Sequence, residues 1–252
     1  MTANTLFLRL EGPLQSWGER SRWSVRDTAT APTKSAIIGL IACALGYKSD
    51  EQIRPLSEKT QLGVRIDALG TQITDYHTIG GGYDYPTLLT AQGKRKGTSK
   101  APHTEISPRA YLCDASFLAA LQVRDKVDSP LIHQMSEALQ NPVWPIYLGR
   151  KACVPSRPVY AGNGEFDTLY KALAEHQQFT TYFQPKNRRR EHEQTITLAT
   201  IVETDDPQGQ RQRDNLYSRQ YRIYHPRYTR RDKVTLVLKK EENGDVSLQT
   251  AA

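Results

Sequence analysis

The sequence predicts an α+β fold: a ferredoxin-like or RRM-like βαββαβ domain over residues 1–160, then a small antiparallel β-rich domain over 161–252. Three observations predict it. Strand-like and helix-like stretches alternate through the first 160 residues in the order strand, helix, strand, excursion, strand, helix, strand. Both helical stretches carry their own start and stop signals. After residue 160 the apolar runs are short and strand-like, and the chain shows no internal repeat or low-complexity tail.

Residues 6–10 (LFLRL) alternate loosely and stop at Glu11-Gly12-Pro13, the pattern of a strand running into a loop. That loop, 13–32, is polar and rich in Trp and Arg. A helix then starts after Pro32, with Thr33 or Ser35 as cap, an apolar body over 36–45 and Gly46 at the C′ position. Being apolar nearly all round, it belongs in the interior against a sheet. Residues 62–69 (LGVRIDAL) alternate as a second strand. Residues 75–109 hold three consecutive glycines, 80–82, and a basic run, and read as a flexible excursion. The apolar stretch 110–123 reads as one long strand. Asp128 or Ser129 caps the second helix, with Pro130 at its first position, Leu131, Met135 and Leu139 as its buried stripe, and Pro142 and Pro145 beyond its end. A fourth strand is expected over 152–159, and further strands over 195–202, 216–224 and 234–238.

Lys and Arg number 34 against 27 Asp and Glu, giving a net charge of +7 and a pI near 9.3. Such an excess favours encounter with a polyanion without specifying a site. The three cysteines, Cys43, Cys113 and Cys153, are too far apart for a zinc knuckle or a disulfide framework, which points to a reducing cytoplasm. No signal peptide and no membrane span are expected. The six histidines show no metal-ligand spacing and there is no nucleophile elbow, so no metal and no cofactor are expected.

Several stretches suit single-stranded nucleic acid, and each has a plainer reading. Gln15-Ser16-Trp17-Gly18, followed by Arg20, Arg22 and Arg26, offers a ring to stack on bases and cations for phosphates, or else a loop whose Trp17 packs on the core. Thr33, Lys34 and Ser35 at a helix N-terminus suit a phosphate, or simply cap the helix. Lys94, Arg95, Lys96 and Lys100 form either an arm along a backbone or a solvated tip, and the same holds for Arg188, Arg189 and Arg190. From 211 to 233 eight basic residues interleave with Tyr217, Tyr221, Tyr224 and Tyr228, a stronger sign than charge alone. Metal-free RNA cleavage would need an acid–base pair, for which His103, Tyr111 and Tyr147 with a lysine are the candidates.

The run LRLEGPLQSWGERSRWSVRDTATAPTKSAIIGLIACALG closely resembles the N-terminus of the CasD family, the handle-binding subunits of type I-E CRISPR Cascade within the RAMP superfamily. Three further stretches agree in order and spacing: Asp75-Tyr76-His77-Thr78, residues 109–117 (RAYLCDASF) and residues 145–153 (PIYLGRKAC). The match covers about the first 160 residues and fades after Arg157-Pro158. The resemblance implies an RRM-like domain with a protruding thumb hairpin over about 77–109, on which Lys94, Arg95 and Lys96 are an added basic stretch. It implies a non-catalytic subunit that holds the 5′ handle of the crRNA. The contacts it implies are Gln15, Ser16, Trp17, Gly18, Arg20 and Arg26 in the first loop, and Thr33, Lys34 and Ser35 at the helix start. Further along they are Arg109, Tyr111, Tyr147, Leu148, Gly149 and Arg150. The implied partners are the crRNA, the CasC backbone subunit, the large CasA subunit and, through the complex, target DNA. Relatives in the type I-C system cleave the repeat themselves, so a metal-independent endoribonuclease acting on repeat RNA is the alternative.

Overall fold

In the computed structural model, residues 3–19, 25–80, 97–98, 101–102, 104–176, 194–240 and 246–249 are described. The chain runs through β1 (Thr5–Glu11), β2 (Leu14–Gln15), α1 (Lys34–Leu45), α2 (Asp50–Glu58), β3 (Thr60–Ala68) and β4 (Thr71–Gly80). Two short strands follow, β5 (Gly97–Thr98) and β6 (Ala101–Pro102), then β7 (Thr104–Cys113), β8 (Ser116–Val123) and α3 (Ser129–Gln140). The last part contains β9 (Tyr160–Gly164), α4 (Leu169–Glu175), β10 (Gln194–Thr204), β11 (Gln210–Ser218), β12 (Ile223–Lys240) and β13 (Val246–Gln249).

These strands build a large antiparallel sheet in the order β11-β12-β10-β3-β8-β1-β9, with β13 on β12, beside a smaller sheet ordered β2-β7-β4. β8 lies between β1 and β3 and is buried at every position, because helices cover both faces of the sheet there. The alternation of side chains divides it. Phe117, Ala119 and Leu121 join Leu6, Leu8 and Leu10 under α1 and α3, while Leu118 and Ala120 join Phe7 under α4. α1 forms as its sequence dictates: Thr33 Oγ1 accepts from the Ala36 N–H, and Gly46 closes the helix at φ 71°. In α3 the buried stripe includes Ile132, Met135 and Leu139, and Leu131 is only half-buried.

Several expectations are corrected. The apolar stretch 110–123 is two strands in two sheets, broken at Asp114, which adopts φ 55°, a left-handed conformation that Asp tolerates. No strand occupies 152–159, where Pro155 and Pro158 withhold two N–H donors; the strand starts at Tyr160 instead. The excursion 75–109 is regular at its base, where β4 and β7 pair continuously from Thr71↔Cys113 to Gly80↔Thr104. The C-terminal strands do not make a sheet of their own. β10 pairs with β3 through Thr200↔Arg65, Ile201↔Val64 and Val202↔Gly63, which extends the main sheet. The candidate strand 216–224 spans the turn between β11 and β12, and 234–238 is the interior of the 18-residue β12. α2 and α4 carry weak local signals: α2 is nine residues long with Pro55 inside it, and α4 has seven residues.

The joint between the C-terminal strands and the rest is ionic and buried. Glu203 of β10 accepts from Lys34 Nζ at 3.2 Å, from the Leu62 N–H at 3.1 Å and from Arg124 Nη2. Asp214 of β11 accepts from Arg227 Nε at 2.6 Å and Nη2 at 2.8 Å, and from the Lys34 backbone N–H at 2.7 Å. Burial lowers the Lys34 ammonium to about 8, against the opposing pull of Glu203. Among the described residues no helix is long and apolar enough to cross a membrane.

Candidate functional site

The first loop is pinned from inside. Gln15 Nε2 donates to the carbonyls of Leu10 at 3.0 Å and Ala115 at 2.6 Å, and its Oε1 accepts from Trp17 Nε1 at 3.1 Å. Trp17 is wholly buried, so its ring offers no face to a base. Its backbone closes the loop, because Trp17 N donates to Thr28 Oγ1 and Trp17 O accepts from Ala29 N. Ser16 N in turn donates to Leu148 O at 3.0 Å, which brings the turn over residues 145–150 against the loop. Gly149 sits at φ 100°, and a Cβ on it would stand 1.8 Å from Ser16 O, so this approach requires glycine.

Arg26 lies beside β7, donating its N–H to Pro108 O and accepting from Ala110 N, which puts it next to Arg109. Arg150 crosses over both. Its Nη1 donates to Ala110 O at 2.9 Å, and its Nη2 to the carbonyls of Arg26 and Asp27, each at 3.1 Å. The guanidinium lies 4.6 Å over the ring of Tyr111, which is buried beneath it. Arg150 is therefore a strut that fixes the first loop on β7, and its charge stays close to those of Arg26 and Arg109. Arg109 Nε is buried and has no hydrogen-bond partner among the described residues.

Together these segments wall a cleft of about 800 Å³ floored by α1 and closed opposite by the turn between β11 and β12. Among the described residues five arginines line it, Arg26, Arg109, Arg150, Arg219 and Arg222, against one carboxylate, Glu19. Tyr147 and Tyr224, both half-buried, contribute rings. Gly39 faces it from the middle of α1, where a Cβ would meet nothing within 4 Å. So many like charges in one concavity attract an anion, and the rings and open helix face suit a ligand with flat parts. The family described as CRISPR-associated protein (Cas_Cas5) matches residues 5–234. The chain belongs to the Cas5 family.

This Cas5 protein is 36% identical over 172 residues to the CRISPR system Cascade subunit CasD of Escherichia coli (strain K12), a match covering 67% of this chain and 75% of that protein. Its fold is similar to that of a chain in a CRISPR RNA-guided surveillance complex, with a TM-score of 0.73, 30% identity, and coverage of 92% of this chain and 91% of the other. A second solved structure, described as a crystal structure of a Cas protein, matches with a TM-score of 0.61 and 30% identity over 91% of this chain and 94% of that one. The family seen in the sequence motifs is thus borne out.

Of the expected contacts in the Cas5 chain, Ser16, Gly18, Arg26, Ser35, Arg109, Tyr147, Gly149 and Arg150 meet at this cleft. Gln15, Trp17, Tyr111 and Leu148 lie buried beneath it and hold its walls. Lys34 points the other way: its side chain is fully buried on Glu203 and on Thr60 O, where no phosphate reaches it. The start of α1 is likewise taken, since Asp214 already accepts from its first N–H and Thr33 caps it. Arg20, Lys94, Arg95, Lys96 and His103 lie outside the described residues. Sequence reasoning missed Gly39, Arg219 and Arg222 as lining groups. The Arg and Tyr interleaving over 211–233 was the available signal for the last two, but nothing local says that this turn faces α1.

Proposed function

We propose that this Cas5 protein is the non-catalytic subunit of type I-E Cascade that holds the 5′ handle of the crRNA in the cleft between the first loop, the 145–150 turn, α1 and the β11–β12 turn. One observation carries the reading: among the described residues, segments far apart in sequence bring five arginines against a single carboxylate, beside two tyrosines, into one concavity. Arginines take phosphates, tyrosine rings stack on unpaired bases, and Gly39, with nothing within 4 Å of where its Cβ would be, leaves the face of α1 open to close approach. Arg150 and the buried Gln15 to Trp17 pair fix the walls in advance, so little ordering is left for binding. Ser16, Arg26, Ser35 and Arg109 are the proposed contacts from the N-terminal half.

The sheet order β9-β1-β8-β3, with α1 and α3 as its crossovers, supports reading residues 1–160 as an RRM-like unit with residues 161–252 added at its edge. The β4–β7 hairpin is the proposed thumb. The crRNA, the CasC and CasA subunits and, through them, target DNA are the proposed partners, in the cytoplasm. Among the described residues no imidazole lines the cleft, which favours a binder over an RNA-cleaving acid–base pair.

Incubating the full chain with end-labelled CRISPR repeat RNA in EDTA, then running filter binding and a denaturing gel in parallel, separates the two. Retention of uncut RNA is expected. A single cut, abolished in His103→Ala, would overturn the binder in favour of the endoribonuclease.

A further inference from the structure

Beyond the ridge of Arg222 and Tyr224 lies a second groove, of about 970 Å³, between residues 28–33 and the edge strand β11 with its partner β12. Arg211, Arg213, Arg222 and Arg231 reach it, all exposed and none in an ion pair among the described residues. Their neighbours differ. Arg227 is bound to Asp214, and Arg230 to Asp206 at 2.9 Å. Of the two carboxylates at the groove, Asp214 is consumed by Arg227 and the start of α1, which leaves Glu19 on the shared rim. An acid opposite an arginine across a strand pair is stabilising, yet Arg211 stands opposite Tyr228 and Arg231 opposite Ile201, so the register supplies neither with a carboxylate. Four unpaired guanidiniums around a concavity therefore point to a polyanion outside the chain. The groove is continuous with the first cleft, because Glu19, Arg222 and Tyr224 line both.

We infer that this groove is a second track for single-stranded RNA, holding by its phosphates the same strand whose other part fills the first cleft. The inference rests on the reading of that cleft as an RNA site. Tyr224 and Arg222 stand where the strand would pass from one groove to the other, and recognition in the second track is by charge, independent of sequence.

Stoichiometry tests it. The full chain is titrated with oligouridylates of about 8 and about 16 nucleotides, lengths within the span of single-strand sites, and complexes are weighed by native mass spectrometry. The wild type should take two short probes or one long one. Arg211→Gln/Arg213→Gln/Arg231→Gln should take one short probe and bind the long one with a salt slope lower by about 2, at roughly 0.7 per lost phosphate contact. Arg26→Gln/Arg109→Gln should also take one short probe. A triple variant that still binds like the wild type, in number and slope, overturns the second track. Two long probes on the wild type overturn its continuity with the first. Unchanged stoichiometry in Arg26→Gln/Arg109→Gln alone, with loss in the triple variant, overturns the first cleft and leaves the groove standing.

Discussion

Replacing Gly149 by Ala separates the packing of the cleft wall from the general cost of an unusual backbone. At φ 100° any Cβ is strained, by about 1–3 kcal/mol. Here the added carbon would also sit 1.8 Å from Ser16 O, so the two loops must part by more than an ångström and the Ser16 to Leu148 bond of 3.0 Å is lost. That bond adds about 1 kcal/mol, which brings the expected destabilisation to about 2–4 kcal/mol. At about 2–4 °C per kcal/mol for a chain of this size, the midpoint should fall by roughly 5–15 °C. Gly162 supplies the control. It has φ 107°, yet nothing lies within 4 Å of its Cβ, so Gly162→Ala carries the strain without the collision. Thermal unfolding of both variants, with filter binding of repeat RNA below the transition, is the assay. Gly149→Ala should unfold earlier and bind more weakly, and Gly162→Ala should bind as the wild type does. Equal midpoints, or undiminished RNA binding by Gly149→Ala, would refute the argument that this contact shapes the cleft.

Three other outcomes follow from the same geometry. Gly39→Ala should raise stability by about 0.8–1 kcal/mol through helix propensity, whereas Gly39→Leu should fold but bind RNA less tightly because it fills the floor of the cleft; full affinity in the Leu variant counts against a ligand lying on α1. Asp214→Ala strands Arg227 and the first N–H of α1 together, and denaturant melts should show a loss of about 3–5 kcal/mol; a loss under 1 kcal/mol would mean the buried network is dispensable. Lys34 titrates at about 8 in the folded chain against an ordinary 10.5, so the unfolded chain holds that proton over the interval between them. The stability of the wild type relative to Lys34→Met should therefore rise from pH 8 to 10.5, and a falling difference would show that the ammonium is not buried at a cost.

What the sequence made legible was local. Pro32, Thr33 and Gly46 delimit α1 within a residue or two because caps are chemistry between near neighbours. The break at Asp114 was hidden, since apolar residues continue on both sides of one left-handed residue while the chain changes sheets. The β10 to β3 pairing was hidden for a different reason. It joins strands more than a hundred residues apart, and alternation says that a strand has a face without naming its neighbour. Lys34 shows the same limit at the site. Its type and position suited a phosphate, but its fate was decided by Glu203 and Asp214, 169 and 180 residues away. Ser16, Arg26, Arg109, Tyr147 and Arg150 were found because motif order carried them, whereas Arg219 and Arg222 needed the fold.

The central claim is that the arginines of the first cleft hold RNA phosphates. Its most direct measurement is the salt dependence of repeat-RNA binding by the full chain and by Arg26→Ala/Arg109→Ala. The slope of log affinity against log salt should be shallower in the double variant by about 1.4, at roughly 0.7 for each single-strand phosphate released. The same slope in both proteins would mean that these arginines do not meet the RNA, and would contradict the account.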